Sequence, residues 1–265
     1  MTLTEIALLL GVNLALILGV MSLLWLVAVR IRDVSFIDAV WPLAMLFLAL
    51  VTWPRTDGDA VRSGLLVGLC GLWALRLGLH LFLRWRAHGE DRRYADLIGR
   101  QTKTGKSWPT VALLFVFLPQ GGLAWLTSLP VQLGQVAEAP AVGWLGWAGV
   151  ALFAVGLVFE TVGDAQLAAF RRDPSTRGKV LDTGLWRYTR HPNYFGDACV
   201  WWGIGVVALS VSGTWWSLVG PLVMNVLLVR VSGVALLERS LRKRKPDYED
   251  YVRTTSAFVP RPPRS

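Results

Sequence analysis

The sequence predicts an all-α polytopic membrane protein with seven transmembrane helices. Of its 265 residues, 54% are hydrophobic and only 17% are charged, a composition typical of membrane proteins and not of soluble domains. Seven apolar runs cover about residues 5–29, 35–53, 63–83, 108–129, 141–162, 196–212 and 214–237. Each run is close to the roughly 20 residues that a helix needs to cross a bilayer. We expect residues 1–265 to form a single seven-helix domain, since no linker separates two parts.

Charge patterning predicts the orientation of these helices. The first run is expected to be a retained helix, because no positively charged segment precedes it and no small-residue cleavage site follows it. The first, third and fifth loops and the C-terminal tail hold 2, 7, 6 and 8 of the 27 Lys and Arg residues. The positive-inside rule therefore places the N-terminus outside and the C-terminus in the cytoplasm. Orientation in a bilayer, and not nucleic-acid binding, explains the net charge of +9.

Several ionisable residues fall within or beside the apolar runs, where charge is costly and a functional role is the default hypothesis. Asp38 lies near the start of the second helix. Arg76 and His80 are four residues apart on the third helix, as are Glu160 and Asp164 on the fifth, so each pair shares a helix face. These residues predict a polar cavity on the cytoplasmic side, suited to a phosphate-bearing cofactor. The alternative is internal salt bridging, for example between Asp38 and Arg76.

The densest polar segment is residues 184–197, GLWRYTRHPNYFGD, between the fifth and sixth runs. Pro192 disfavours helix for the residue before it, so the helix is expected to restart at Asn193 or Tyr194. The N-terminus of a helix attracts anions. No dinucleotide-binding glycine motif, Walker loop, HExxH motif or cysteine cluster is present, so helices would hold any nucleotide and no metal site is expected. The alternative is a positively charged flank with an aromatic belt.

This segment, with ETVGDAQLAAFRRDP at residues 160–174 and LLERSLRKRKPDYEDYVRTTSAFVP at residues 236–260, resembles the C-terminal half of the steroid 5-alpha-reductase family in its bacterial branch. The run WALRLGLHLFLRWRAHGEDRRY at residues 73–94 resembles the same family. The C-terminal half is also similar to isoprenylcysteine carboxyl methyltransferases and to delta-14 and delta-7 sterol reductases. The resemblance implies a cytoplasmic cofactor cavity formed mainly by residues 73–94 and 155–260.

The resemblance further implies that NADPH reduces the carbon–carbon double bond of a 3-oxo-delta-4-steroid or a similar lipophilic enone. The positions that it assigns to the cofactor are Arg76, Asp164, Arg171, Lys179, Arg187, Tyr188, His191, Asn193, Tyr194, Asp197, Glu238 and Arg242. The family carries a catalytic carboxylate on the second helix and a tyrosine on the third. Here Asp38 can serve as the carboxylate, Trp73 stands where the tyrosine would fall, and His80 could donate the proton instead. Tyr94 is the next candidate.

Two other functions stay open. A membrane methyltransferase of the isoprenylcysteine carboxyl methyltransferase type would use S-adenosylmethionine, a sulfonium that needs few arginines. A non-catalytic transporter is less favoured, because the outer half of the bundle has almost no polar residues to line a path. We expect a steroid-like substrate that enters from the lipid bilayer, no nucleic-acid partner, and a location in a bacterial inner membrane.

Overall fold

The computed structural model describes residues 1–138, 142–210, 215–231, 238 and 248–264, and all regular structure in these ranges is helical. The α-helices are α1 (Leu3–Ile31), α2 (Ile37–Thr52), α3 (Ala60–His88), α4 (Arg92–Thr102), α5 (Trp108–Ala112), α6 (Leu118–Thr127), α7 (Leu129–Leu133), α8 (Trp144–Arg172), α9 (Pro192–Leu209), α10 (Val219–Val226) and α11 (Tyr248–Thr254). The all-α fold expected from the sequence is therefore confirmed for these ranges.

Five helical segments are long and apolar enough to cross a membrane: α1, Ile37–Arg55, α3, Trp108–Thr127 and α8. They coincide with the first five apolar runs and confirm a polytopic membrane protein. Helix α9 and the shorter apolar helix Trp215–Arg230 occupy the sixth run and most of the seventh, but neither is among the five candidate spans. Seven crossings and the orientation stay predictions.

A tight turn places α4 directly after α3. Gly89 ends α3 with a φ of 70°, a conformation that glycine adopts at low cost because it has no Cβ. Asp91 then caps α4, since its side chain accepts a hydrogen bond from the Arg93 N–H. The Asp91 N–H in turn donates to Ser35 Oγ over 2.8 Å. These contacts fix the first turn of α4, which carries Tyr94, beside the start of α2.

The fourth apolar run is not one continuous α-helix. Residues Leu113–Phe117 form a π-helical turn between α5 and α6. Pro119 follows in the first turn of α6 and has no N–H to donate to the preceding turn. A π turn holds one extra residue, so the side chains after it, including Gln120, lie about 100° around the axis from their place in an unbroken α-helix.

The described chain divides into two compact units. The first unit comprises Met1–Gly143 and Val207–Gly220, and the second comprises Trp144–Val206 and Pro221–Ser265. In the first unit α2 packs along α3, and Gly78 permits a close approach between them, because a Cβ there would lie 3.1 Å from the Ala39 carbonyl oxygen. The expectation of a single domain stays a prediction.

Helices α8 and α9 cross closely in the second unit because glycines line both contact faces. The glycines lie seven residues apart on each helix, which places them on one face: Gly149, Gly156 and Gly163 on α8, and Gly196 and Gly203 on α9. A Cβ on Gly196 would lie 2.4 Å from the Glu160 backbone nitrogen, and one on Gly203 would lie 2.6 Å from the Gly149 carbonyl oxygen. Small residues commonly allow such approaches between membrane helices. The crossing determines where Asp164 and Asp197, each adjacent to one of these glycines, lie.

Candidate active site

A polar cluster in the first unit joins Asp38 of α2 to Tyr94 of α4. The Tyr94 hydroxyl donates to Asp38 Oδ1 over 2.5 Å, and Gln120 Nε2 of α6 donates to the Tyr94 oxygen over 3.0 Å. On the other carboxylate oxygen, Asp38 Oδ2 accepts a hydrogen bond of 3.0 Å from Arg93. The guanidinium of Arg84 lies 3.8 Å from the same oxygen. Four helices, α2, α3, α4 and α6, thus contribute side chains to this cluster.

The surroundings of Tyr94 favour its protonated form. Burial raises the pKa of the Tyr94 phenol above its usual value, and the adjacent Asp38 carboxylate raises it further. The charge of Arg93 and the hydrogen bond from Gln120 lower this pKa, but by less. Because the net shift is upward, Tyr94 keeps its proton at neutral pH and can donate it in a hydrogen bond.

The predicted catalytic residues Trp73 and His80 and the predicted cofactor residue Arg76 lie on the face of α3 that leads to this cluster. Trp73 is fully buried, and Arg76 and His80 are partly buried. Steps of three and four residues place all three on the same face as Arg84, whose guanidinium approaches Asp38. The part that each of Trp73, Arg76 and His80 plays in the reaction stays a prediction.

Sequence reasoning underestimated Tyr94 and missed Gln120. Tyr94 lies outside the apolar runs, in a loop dense in charge, and 56 positions separate it from Asp38. A usable signal was present, because residues 92–102 are amphipathic and their spacing places Tyr94 and Ile98 on the inner face of a helix. Nothing local indicated Gln120, since its direction depends on the π turn before it.

In the second unit, the start of α9 brings together several of the predicted cofactor residues. Helix α9 begins at Pro192, one or two residues before the predicted restart at Asn193 or Tyr194. Asn193 Nδ2 donates to Asp164 Oδ1 of α8 over 3.0 Å. Asp197 follows Asn193 by one turn and is buried, as are Asp164 and Glu160. The structure therefore joins Asp164 and Asn193 directly and sets Asp197 on the same face of α9.

His191 and Glu238 also meet in the second unit. His191 Nε2 lies 3.3 Å from Glu238 Oε1, and the His191 ring stacks on Tyr194 with the ring centroids 5.5 Å apart. Arg190 Nε donates to the same Glu238 oxygen over 2.8 Å. Burial alone would raise the pKa of Glu238, but the hydrogen bonds and charges of His191 and Arg190 outweigh it and lower the pKa to about 2. Glu238 is therefore held as a carboxylate.

Part of the polar segment 184–197 serves the fold. The Arg190 guanidinium donates to the carbonyl oxygens of Thr255 at 2.6 Å and Val252 at 3.1 Å. The Tyr251 hydroxyl donates to the Trp186 carbonyl oxygen. The Trp186 indole in turn donates to the Gly163 carbonyl oxygen over 3.1 Å. These bonds attach the C-terminal segment and the 184–190 turn to α8.

The other predicted cofactor residues lie at the surface. Arg171, Lys179, Arg187 and Tyr188 are exposed, between the end of α8 and the start of α9. Arg242 lies outside the described residues. The cations at the first three of these positions are exposed to solvent. Arg190 is buried, and its guanidinium is bonded to Glu238 and to two backbone carbonyl oxygens.

Comparison with known proteins identifies the family. The family model described as "Protein of unknown function (DUF1295)" matches residues 24–255. The chain belongs to this family. The family is related to steroid 5-alpha-reductases, which agrees with the resemblance of the C-terminal motifs. An uncharacterized protein of Schizosaccharomyces pombe is 23% identical over 283 residues, which cover 95% of this chain and 79% of that protein.

Two relatives with named activities match shorter segments. The 3-oxo-5-alpha-steroid 4-dehydrogenase 1 of Mus musculus is 29% identical over 115 residues, 42% of this chain and 40% of the mouse protein. A probable O-methyltransferase of Ustilaginoidea virens is 39% identical over 62 residues, 23% of this chain and 21% of the fungal protein. No solved structure matches the chain. The match thus covers less than half of each of these two relatives. The relatives named here come from two fungi and a mouse, so they give no support for a bacterial inner membrane.

Proposed function

We propose that the protein uses NADPH to reduce the carbon–carbon double bond of a lipophilic enone, such as a 3-oxo-delta-4-steroid. The observation that carries this proposal is the 2.5 Å hydrogen bond between the Tyr94 hydroxyl and Asp38. A carboxylate and a protonated phenol in contact form an acid that can polarise a ketone. The relationship to steroid 5-alpha-reductases supports this class of reaction.

The chemistry requires an acid at the ketone oxygen. Hydride addition to the beta carbon of an enone moves negative charge onto that oxygen, and a positioned donor stabilises the charge as it develops. The Tyr94 hydroxyl has one proton, which it shares with Asp38 in this structure. In one arrangement, the Tyr94 hydroxyl rotates toward a substrate carbonyl and donates its proton there. In the other, a protonated Asp38 donates to the phenol oxygen, which leaves the phenol proton for the carbonyl. Gln120 holds the phenol oxygen in either case.

The second unit has side chains that fit a phosphate-bearing nucleotide. Asp164 and Asp197 are carboxylates that could accept hydrogen bonds from ribose hydroxyls, and Asn193 holds Asp164 in position. The exposed cations Arg171 and Lys179 could bind phosphates. NADPH, when bound, supplies the hydride, and these residues would bind and orient it.

A ligand-stabilisation experiment tests this function without a known substrate. The purified full-length chain is titrated separately with NADPH, NADH and S-adenosylmethionine while its melting temperature is measured. A ligand at 100 times its Kd stabilises the folded state by about 2.7 kcal/mol. We expect NADPH to raise the melting temperature more than NADH. Equal shifts would contradict recognition of the extra phosphate, and no shift with either dinucleotide would contradict the cofactor.

The alternative function is that of an S-adenosylmethionine-dependent membrane methyltransferase. The 62-residue match to a probable O-methyltransferase favours it. The same titration separates the two functions, because a shift with S-adenosylmethionine and none with NADPH would support the methyltransferase. The contact between Asp38 and Tyr94 favours the reductase, since methyl transfer from a sulfonium does not require an acid at a ketone.

A further inference from the structure

An apolar groove on the first unit is lined by none of the residues assigned to the proposed reaction. Its cavity volume is about 370 Å³, and its lining, from α1, α2 and α3, is entirely hydrophobic. Gly78, Ala39 and Phe36 are buried at its base, whereas Leu75 and Leu79 in its walls are 61% and 59% exposed. Phe36, which immediately precedes α2, and the α2 residues 39, 40 and 43 lie on one helix face. Asp38 lies on the opposite face, so the groove is separate from the Asp38 and Tyr94 cluster.

The length of the groove matches the depth of one leaflet of a bilayer. Its α3 lining extends from Leu75 to Trp85, ten residues that rise about 15 Å in an α-helix. The hydrocarbon core of a bilayer is about 30 Å thick, and one leaflet contributes about half of it. Phe36, Phe82 and Trp85 close one end, with ring centroids about 6 Å apart.

Two arginines lie at the same end of the groove. Arg86 follows Phe82 by one helical turn, which places it on the lining face of α3. Arg30 of α1 lies between the lining residues Val27 and Ile31 and shares their side of the helix. Both arginines are exposed. Two carboxylates also lie near this end: Asp33 accepts a hydrogen bond of 2.8 Å from the Trp85 indole, and Glu90 is close enough to Asp33 to interact with it electrostatically. The two exposed guanidinium groups are the cations that a phosphate at this entrance would contact.

We propose that this groove binds one acyl chain of a bilayer phospholipid, with the lipid phosphate against Arg30 and Arg86. The hydrophobic lining excludes a polar ligand, the partly exposed walls open toward the bilayer, and the cations at one end complement a phosphate. The groove holds the chain in a fixed place, unlike the flat lipid-facing surface of the same helices.

Photolabelling of the full-length chain tests the proposal. The chain is reconstituted in phosphatidylcholine vesicles that contain a phosphatidylglycerol with a diazirine on one acyl chain. A diacylglycerol with the same diazirine is the probe without a phosphate. After illumination, peptide mass spectrometry locates the label. We expect the phosphatidylglycerol to label residues 36–43 and 75–85 preferentially, and the diacylglycerol to label them less.

Two pairs of variants provide matched controls. Leu79→Trp fills the groove and is expected to abolish the preferential labelling, whereas Leu83→Trp is not expected to change it. Leu83 lies on the same helix with nearly the same exposure, 58%, but outside the lining. Arg86→Gln is expected to lower labelling by the phosphatidylglycerol about threefold to tenfold, and Arg92→Gln is not. Melting temperatures confirm that each variant is folded.

Three results would overturn the proposal. Uniform labelling of the exposed apolar surface would show that the groove does not select a lipid. Displacement of the label by a steroid enone would identify the groove as a substrate site. Efficient crosslinking between two copies that carry Leu79→Cys, with no label in the groove, would show that a second copy of the chain covers it.

Discussion

Replacing Tyr94 by phenylalanine should separate catalysis from stability. The change removes the hydroxyl that donates to Asp38 over 2.5 Å and accepts from Gln120 over 3.0 Å. A hydrogen bond to a charged group contributes about 1.5–3 kcal/mol and a neutral one about 0.5–1.5 kcal/mol. Arg93 still binds the Asp38 carboxylate, whose side chain is 21% exposed, so we expect the total loss to be near the low end, about 2 kcal/mol. That corresponds to a melting temperature lower by about 4–8 °C.

The effect on turnover should be much larger. A positioned acid contributes about 10²- to 10⁴-fold to a rate, so Tyr94→Phe should lower enone-dependent oxidation of NADPH by that factor. The NADPH-induced rise in melting temperature should persist, because Tyr94 is not among the residues assigned to the cofactor. Trp41→Phe is the control: it removes a 3.2 Å hydrogen bond to the Gln120 carbonyl oxygen but leaves the Tyr94 hydroxyl in place. Ordinary turnover by a folded Tyr94→Phe protein would refute the assignment of Tyr94 as the acid.

Three further predictions concern the second unit. Asn193→Ala and Asp197→Ala should abolish the melting-temperature shift caused by NADPH while expression stays near that of the wild type; loss of folded protein in both variants would instead indicate a structural role. Arg190→Met should destabilise the protein by about 3–5 kcal/mol, because it leaves the partly buried Glu238 carboxylate without its closest cation. Limited proteolysis of this variant should then release the segment after residue 248. A protease-resistant C-terminal segment would contradict this prediction. The lowered pKa of Glu238 predicts a stabilising contribution that is complete above its ordinary value of 4.5 and is lost as the pH falls toward about 2. Melting temperatures between pH 5 and pH 3 should therefore fall less steeply in Glu238→Gln than in the wild type. Parallel profiles would rule out the Glu238 and Arg190 pair as the cause.

Features set by local sequence could be predicted without the structure. The five candidate spans coincide with apolar runs because the thickness of a bilayer dictates the length of hydrophobic sequence, whatever the helices pack against. The start of α9 followed from Pro192, whose ring restricts the residue before it and suits the first turn of a helix. The spacing of four between Glu160 and Asp164 placed both carboxylates on one face of α8. The motifs in residues 160–260 also indicated the steroid 5-alpha-reductase relationship.

Contacts between distant parts of the chain required the tertiary structure. The sequence offered a salt bridge to Arg76 as one example of a partner for Asp38, and it did not indicate Tyr94, Arg93 or Arg84 as partners. The structure places these three side chains against the carboxylate, and the turn at Gly89 brings α4 back to the start of α2. The structure also shows that Arg190 anchors the C-terminal segment. The sequence did not reveal this role, because Arg190 is one of several cations in the same segment. Hydropathy and helix periodicity act over neighbouring residues, whereas the choice among several cations and acids depends on how closely helices pack. In this protein glycines far apart in the sequence, such as Gly156 and Gly196, determine that packing.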